Sequence, residues 1–400
     1  MRFYIVLFLV VSGMYSCKQH IPNELKSNLS SAMQRFKGND SENELYTRFR
    51  YKPIKGLGYE EGVHRRDPSS IIKVDGIFYM WYTYCTETTS SWLNADLWYA
   101  TSTDGITWEE QGPAVTRGEK GSWDDYSVFT TNILVANGKY YLTYQARTFF
   151  EQRNTIGMAW ADSPRGPWTK LPEPILKTTP DGKLIDEHKT GFSQFKNCIE
   201  PGSWDSGAIH DPGVIVKDGK FFLYYKGHPV GEKMFADSKW GVAIADKPEG
   251  PYIKSKYNPV TNSGHEVWVF PWKTGIAALV DWAGPEKGTV QYSEDGINFE
   301  VITSLEDIPP AGGAYIADKF TDSKDGQGFD WGVCHYGRSR WTFLVRFECD
   351  LKRDSQKQIG WNNFKHYSAI RDVYLNPEKF GVTTEILQGK RIKKKNKQLN

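Results

Sequence analysis

The chain has 400 residues, with 50 Lys and Arg against 48 Asp and Glu, a formal charge of +2. At about 100–200 residues per domain this allows two domains at most, or one large repeat-built domain with extensions, and so even a balance excludes a protein devoted to nucleic-acid phosphates. Only 39 % of residues are hydrophobic, yet aromatics reach 14 % beside 37 Gly and 20 Pro, which favours β-strands and tight turns over a helical bundle.

Met1-Arg2 and the apolar run Tyr4–Val11 read as an export leader. The run is far short of the ~20 residues that span a bilayer. Ser12, Gly13 and Ser16 lead to Cys17, so residues 1–17 resemble a lipoprotein signal ending at a lipidated cysteine, with plain cleavage as the alternative. Lys18-Gln19 place no acid behind Cys17, which points to outer-membrane anchoring in the periplasm. Membrane contact is then through the lipid alone. Residues 18–50 carry apolar positions at helical spacing in LKSNLSSAMQRF and ENELYTRF, separated by Gly38-Asn39-Asp40. Two short helices are expected, the second capped by Asn39 or Asp40. With little core of their own, they should pack on the remaining chain or on a second subunit.

Residues 51–388 repeat. Asp67–Tyr82 (DPSSIIKVDGIFYMWY) and Asp211–Tyr225 (DPGVIVKDGKFFLYY) are nearly the same sentence. Ser127–Tyr144 keeps the rhythm, and His265–Val280 is a weaker copy. Asp75-Gly76, Asn137-Gly138 and Asp218-Gly219 between β-rich runs are hairpin signals. A second hairpin motif follows each copy, as in Leu97–Trp108, Ile156–Trp168, Trp240–Tyr252 and Thr289–Phe299, and Gly332–Phe347 supplies strands for a fifth unit. The fold class expected is all-β, a five-bladed β-propeller with a short N-terminal helical segment; a β-sandwich is the alternative. Ile175–Asp205 stands out as a long polar insertion, and residues 389–400 as a basic, solvated tail. Cys85, Cys198, Cys334 and Cys349 match no zinc spacing and read as thiols, with one bridge left open.

In a propeller the first strand of each blade lines the axis, so equivalent repeat positions converge. Asp67 and Asp211 are equivalent, each before a proline and behind a cationic or imidazole residue (Arg66, His210), and His265-Glu266 holds the matching place in blade four. Three carboxylates around one funnel suit glycoside hydrolysis: one ionised to activate water, one carrying a proton for the leaving oxygen, a third tuning both. Because strand side chains alternate, His265 and Glu266 cannot both face the funnel without a bulge. From blade two, Thr130, Thr131, Gln145 and Arg147 approach the same place, Gln145 as a partner for sugar hydroxyls. Trp123, Trp268 and His335 are candidate pocket walls. No ligand cluster compels a metal; no cofactor is required, and a divalent cation near the site is compatible with this fold class.

The runs GYEEGVHRRDPS (Gly58–Ser69), GAIHDPGVIVKDGKFFLYYKG (Gly207–Gly227) and TNSGHEVWVFPW (Thr261–Trp272) together resemble glycoside hydrolase family 117, five-bladed propeller exo-enzymes that release 3,6-anhydro-L-galactose from neoagaro-oligosaccharides. The resemblance implies an inverting displacement with Asp67 as the general base, Asp211 as the pKa-modulating carboxylate, and Glu266 in the place of the usual propeller acid. It implicates His265 as the proton donor, a role that needs the imidazolium and for which Glu266 is the expected support. It also implies an agar-derived oligosaccharide as substrate and a homodimer formed through the N-terminal helices. A propeller glycosidase for another sugar, such as an arabinofuranoside, and a non-catalytic sugar-binding lipoprotein are the rival readings.

Overall fold

The computed structural model describes residues 43–88, 90–147, 153–185, 198–231, 238–316, 328–349 and 370–387. The expected leader with Cys17, the first N-terminal helix and the basic tail lie outside them.

Strand β1 (Phe49–Pro53) opens the described chain and is set aside until the end. Blade one begins with an inner edge broken into β2 (His64–Arg66) and β3 (Ile72–Val74), and continues through β4 (Ile77–Cys85), β5 (Asp96–Ser102) and β6 (Glu109–Val115). Blade two runs β7 (Ser127–Ala136), β8 (Lys139–Arg147), β9 (Thr155–Ala161) and β10 (Thr169–Lys170). The expected insertion holds a small ribbon, β11 (Lys183–Leu184) against β12 (Cys198–Glu200). Blade three is β13 (Ala208–Lys217), β14 (Lys220–His228), β15 (Lys239–Ala245) and β16 (Ile253–Lys254). Blade four is β17 (Glu266–Trp272), β18 (Gly275–Trp282), β19 (Thr289–Ser293) and β20 (Glu300–Ser304). Blade five takes β21 (Gly313–Ala314), β22 (Trp331–Tyr336) and β23 (Phe343–Cys349), and its outer edge is β1. The five-bladed propeller expected from the repeats is the observed fold.

The turns explain the repeat. Asp75-Gly76, Asn137-Gly138 and Asp218-Gly219 each have positive φ at both residues, so each two-residue turn follows the twist of its strands. In the second hairpins Asp104 and Asp295 each accept two backbone N–H groups of the turn, at 2.7–2.8 Å.

Closure of the ring couples the two ends of the sheet sequence. β1 pairs antiparallel with β23 from Phe49↔Cys349 to Pro53↔Val345, and Tyr51 N–H donates to Asp372 Oδ2 at 3.0 Å. That aspartate lies in helix α1 (Arg371–Leu375); a 3₁₀ turn (Pro377–Phe380) and α2 (Thr384–Leu387) follow, burying Val373, Phe380 and Leu387. Blades five and one also meet at their inner strands, where Ile71 donates to Ala314 and Ile316 donates back to Ile71.

The second expected helix is corrected here. Over its described part, 43–49, the chain is not helical. Asn43 Oδ1 accepts the Leu45 N–H at 2.9 Å, and its carbonyl accepts the Tyr46 N–H at 3.0 Å, closing a side-chain-assisted turn. Leu45, Tyr46 and Phe49 then bury in the propeller core, and this tertiary burial overrides their helical spacing. Among the described residues no disulfide forms, and Cys85 and Cys334 are buried thiols.

Phe49 packs on Phe329 and Phe347 at ring distances of 5.6 and 5.8 Å. Phe49→Ala should therefore lower unfolding free energy by about 3–5 kcal/mol, whereas Lys52→Ala on the same strand should change it by no more than about 0.5 kcal/mol. Denaturant midpoints of the two variants check this.

Candidate active site

A local backbone device recurs at the inner strands. Asp67, Thr130 and Asp211 all have left-handed backbone, with φ of 48°, 44° and 51°. In blade one this breaks β2 from β3. In blades two and three it sits inside a β-bulge, between Phe129 and Thr131 of β7 and between His210 and Gly213 of β13. Positive φ is uncommon outside glycine and a true outlier for β-branched threonine. Each such residue costs about 1–3 kcal/mol and persists only where the surroundings impose it. The surroundings are visible at Thr130, whose N–H is held by Thr83 Oγ1 at 2.8 Å. A bulge re-aims its side chain, here out of the blade and toward the axis.

Asp67 is the most tightly held group of the site. Arg66 donates Nε to its Oδ2 at 2.7 Å and Nη2 to its Oδ1 at 3.2 Å. Thr130 Oγ1 donates to Oδ2 at 3.2 Å, and His335 Nδ1 lies 3.1 Å from Oδ1. Burial works to raise this carboxyl, but the Arg66 guanidinium and His335 outweigh it and hold Asp67 well below the usual carboxylate range. Arg66 is itself oriented, donating Nη1 to Ser91 Oγ at 2.7 Å with its guanidinium 4.9 Å over the Trp92 ring.

The other two acids are pushed the opposite way. Burial raises Asp211, with the Asp67 charge adding to it, although Lys226 Nζ stands 2.5 Å from Oδ2. Burial also raises Glu266, with Asp67 adding and His335 opposing. Glu266 begins β17, with a bulge between it and Val267, and it hydrogen-bonds Asp281 of β18, which burial and the Glu266 charge raise in turn. Two buried carboxyls in contact must hold a proton between them. His265 is driven well below the ordinary imidazole value by burial, then by Lys226, Arg66 and His228. Asp67 is an acid that works to raise it.

The fold thus brings Arg66, Asp67, Thr130, Asp211, His265, Glu266 and His335 into one electrostatic cluster. Gln145 and His210 border it, bonded to each other. Trp268 is a correction: its ring packs on Phe347 and Phe329 at 5.4 and 5.9 Å, between blades four and five, because that side of β17 faces core. Trp123 stacks on Tyr144 and donates to the Pro172 carbonyl, which is also a structural place. Lys226 and Asp281 were missed, though a signal existed. Counted from the hairpin turn, Thr83, Gln145, Lys226 and Asp281 occupy the same repeat position, a polar residue within an aromatic or aliphatic run.

Asp67, Glu266 and His335 each offer one ligand atom within 4.8 Å of the others. Arg66 already occupies both Asp67 oxygens, so a cation there would meet a guanidinium sharing its ligand.

Residues 62–189 match the family model described as glycosyl hydrolases family 43. No curated protein matches the chain. Among solved structures it is similar to Zg3597, a family 117 glycoside hydrolase produced by the marine bacterium Zobellia galactanivorans, at 37 % identity and a TM-score of 0.66, covering 79 % of this chain and 94 % of that one. BT0996, solved in a complex with RGII, is similar at 13 % identity and a TM-score of 0.52, with 78 % of this protein and 95 % of that one covered. A further structure described as a glycoside hydrolase, at 13 % and 0.54, covers the same shares. At that identity the last two share the fold alone. With more than a third of its residues identical across nearly all of Zg3597, the chain belongs to glycoside hydrolase family 117.

Proposed function

We propose that this glycoside hydrolase is an inverting exo-enzyme that releases 3,6-anhydro-L-galactose from the non-reducing end of neoagaro-oligosaccharides. The observation that carries the reading is the Asp67 carboxylate, clamped by Arg66, Thr130 and His335 and kept ionised in a buried site. Such a group can take a proton from water as the water attacks the anomeric carbon. A sugar-binding protein gains nothing from holding a charge there against burial.

An inverting pair needs about 6.5–9.5 Å between its carboxyl groups to admit the water. One Glu266 oxygen lies within 4.8 Å of an Asp67 oxygen. In this reading Glu266 is a neighbour of the base that shares a proton with Asp281. His265 is the donor in this reading, and Asp211, paired with Lys226, sets the field across the funnel. In the same reading the protein is exported, anchored by a lipid at Cys17 in the periplasm, and paired as a homodimer through its N-terminal segment.

Asp67→Asn should lower kcat on neoagarobiose by about 10²–10⁴-fold while leaving its binding, measured by calorimetry, near wild type. Silence of the wild type on neoagarobiose with turnover of aryl-arabinosides would move the assignment to another sugar, and NMR of the first-formed anomer reports inversion.

The pH profile has a definite sign. Asp67, depressed below 3.8, stays a competent base far into acid. His265, depressed below 6.5, loses its proton as pH rises through that lowered value. The kcat/KM curve should therefore fall on its alkaline side below pH 6.5, and His265→Asn should remove that limb. Labelling with radioactive palmitate should mark the wild type and not Cys17→Ser.

A further inference from the structure

Arg66 reaches Asp67 from the neighbouring place in the chain, and its long side chain has many rotamers to lose. The loop between β4 and β5 keeps it aimed. Ser91 Oγ accepts Arg66 Nη1 at 2.7 Å, and the guanidinium lies 4.9 Å over the Trp92 ring. That loop is pinned in its turn. The buried Cys85 thiol donates to the Leu93 carbonyl at 3.0 Å and accepts the Glu87 N–H at 3.3 Å. Asn94 Nδ2 donates to Glu87 Oε1 at 2.9 Å, and Ser127 Oγ of blade two donates to the Trp92 carbonyl at 2.8 Å.

A further hold comes from His64, which opens β2 and pairs across the sheet with Cys85. Its ring is buried, with its centroid 4.7 Å from that of Trp341. Nε2 lies 3.2 Å from the Glu87 carbonyl, and Nδ1 receives the Thr342 N–H at 3.0 Å. The two partners fix the tautomer. A carbonyl only accepts, so Nε2 carries the proton; a backbone N–H only donates, so Nδ1 is bare. One neutral imidazole satisfies both at once. Burial, then the Arg66 charge, lower His64 to about 4, against the Glu87 carbonyl that works to raise it. His64 thereby ties the loop that holds Arg66 to the segment just before β23, in blade five.

We propose that His64 is a positioning residue for the Asp67 carboxylate: by binding the Glu87 carbonyl it fixes the loop on which Ser91 and Trp92 keep Arg66 aimed at Asp67. The proposal rests on the reading above that Asp67 is the general base, though the hydrogen-bond geometry does not.

Nitrogen-15 NMR of the free wild-type protein near neutral pH tests the tautomer. His64 should be protonated at Nε2 and bare at Nδ1; the opposite tautomer, or a charged ring, overturns the proposal. His64→Asn keeps an acceptor toward Thr342 and is too short to reach Glu87. It should speed solvent exchange of the Arg66 Nε proton and lower kcat on neoagarobiose, each about tenfold, the loss of one hydrogen bond, with KM little changed. The Arg65 Nε proton, held by Glu110 at 2.7 Å on the same strand, should keep its exchange rate. His64→Gln, long enough to donate to Glu87, should restore both the Arg66 rate and kcat. In a Ser91→Ala background His64→Asn should change little further, because the two act through one contact. Equal quickening of both arginines marks a general loosening and overturns the positioning role. So does an unchanged Arg66 rate, or full additivity with Ser91→Ala. If the wild type is silent on neoagarobiose, or Asp67→Asn still turns over, the sugar or the base assignment is what fails, and the arginine exchange rates then decide the His64 contact.

Discussion

The site depends on a left-handed backbone at three equivalent places. At Asp67, Thr130 and Asp211 the inner strands leave the regular pleat. Without that step each side chain would alternate into the blade, where a carboxylate would meet the aromatic core. With it, the side chain turns to the axis. The strain is held by neighbouring elements, as where Thr83 accepts the Thr130 N–H. The acid-bearing loops are therefore as rigid as the ring itself, and the ring is closed by β1 against β23.

Several ionisable groups gathered in a buried place need compensation, and the compensation is asymmetric. Asp67 receives a two-pronged guanidinium, a hydroxyl and an imidazole, and stays charged. Glu266 receives a second carboxyl, Asp281, and the pair keeps a proton. Asp211 receives Lys226. Three carboxylates of similar intrinsic acidity are thereby separated into different protonation states, which is what acid–base chemistry at one bond requires. Burial, and then the cations beside Asp211 and Asp67, push His265 well below the ordinary imidazole value.

Much of this was legible in the residues alone. The twin Asp-Pro openings and the three Asp-Gly or Asn-Gly turns are local signals, because turn chemistry lies within a few residues, and they led to the right blades and to Asp67 and Asp211. Less legible were partners joined only by pairing. Lys226 meets Asp211 because β14 folds back on β13, and Asp281 meets Glu266 because it is the extra residue of a bulge in β18 opposite Glu266-Val267. Trp268 was a candidate pocket wall, but its ring faces Phe329 and Phe347, residues far along the chain. The stretch around Leu45 and Tyr46 looked helical because local spacing carries no record of the core that finally buries it.

By itself, the sequence determined the repeat, the turns, the blade count and which acids share a position, since each is written in neighbouring residues. Only the tertiary structure decided which acid keeps its charge. Protonation state is a sum over burial and charges from several blades, and that sum exists only once the ring has closed.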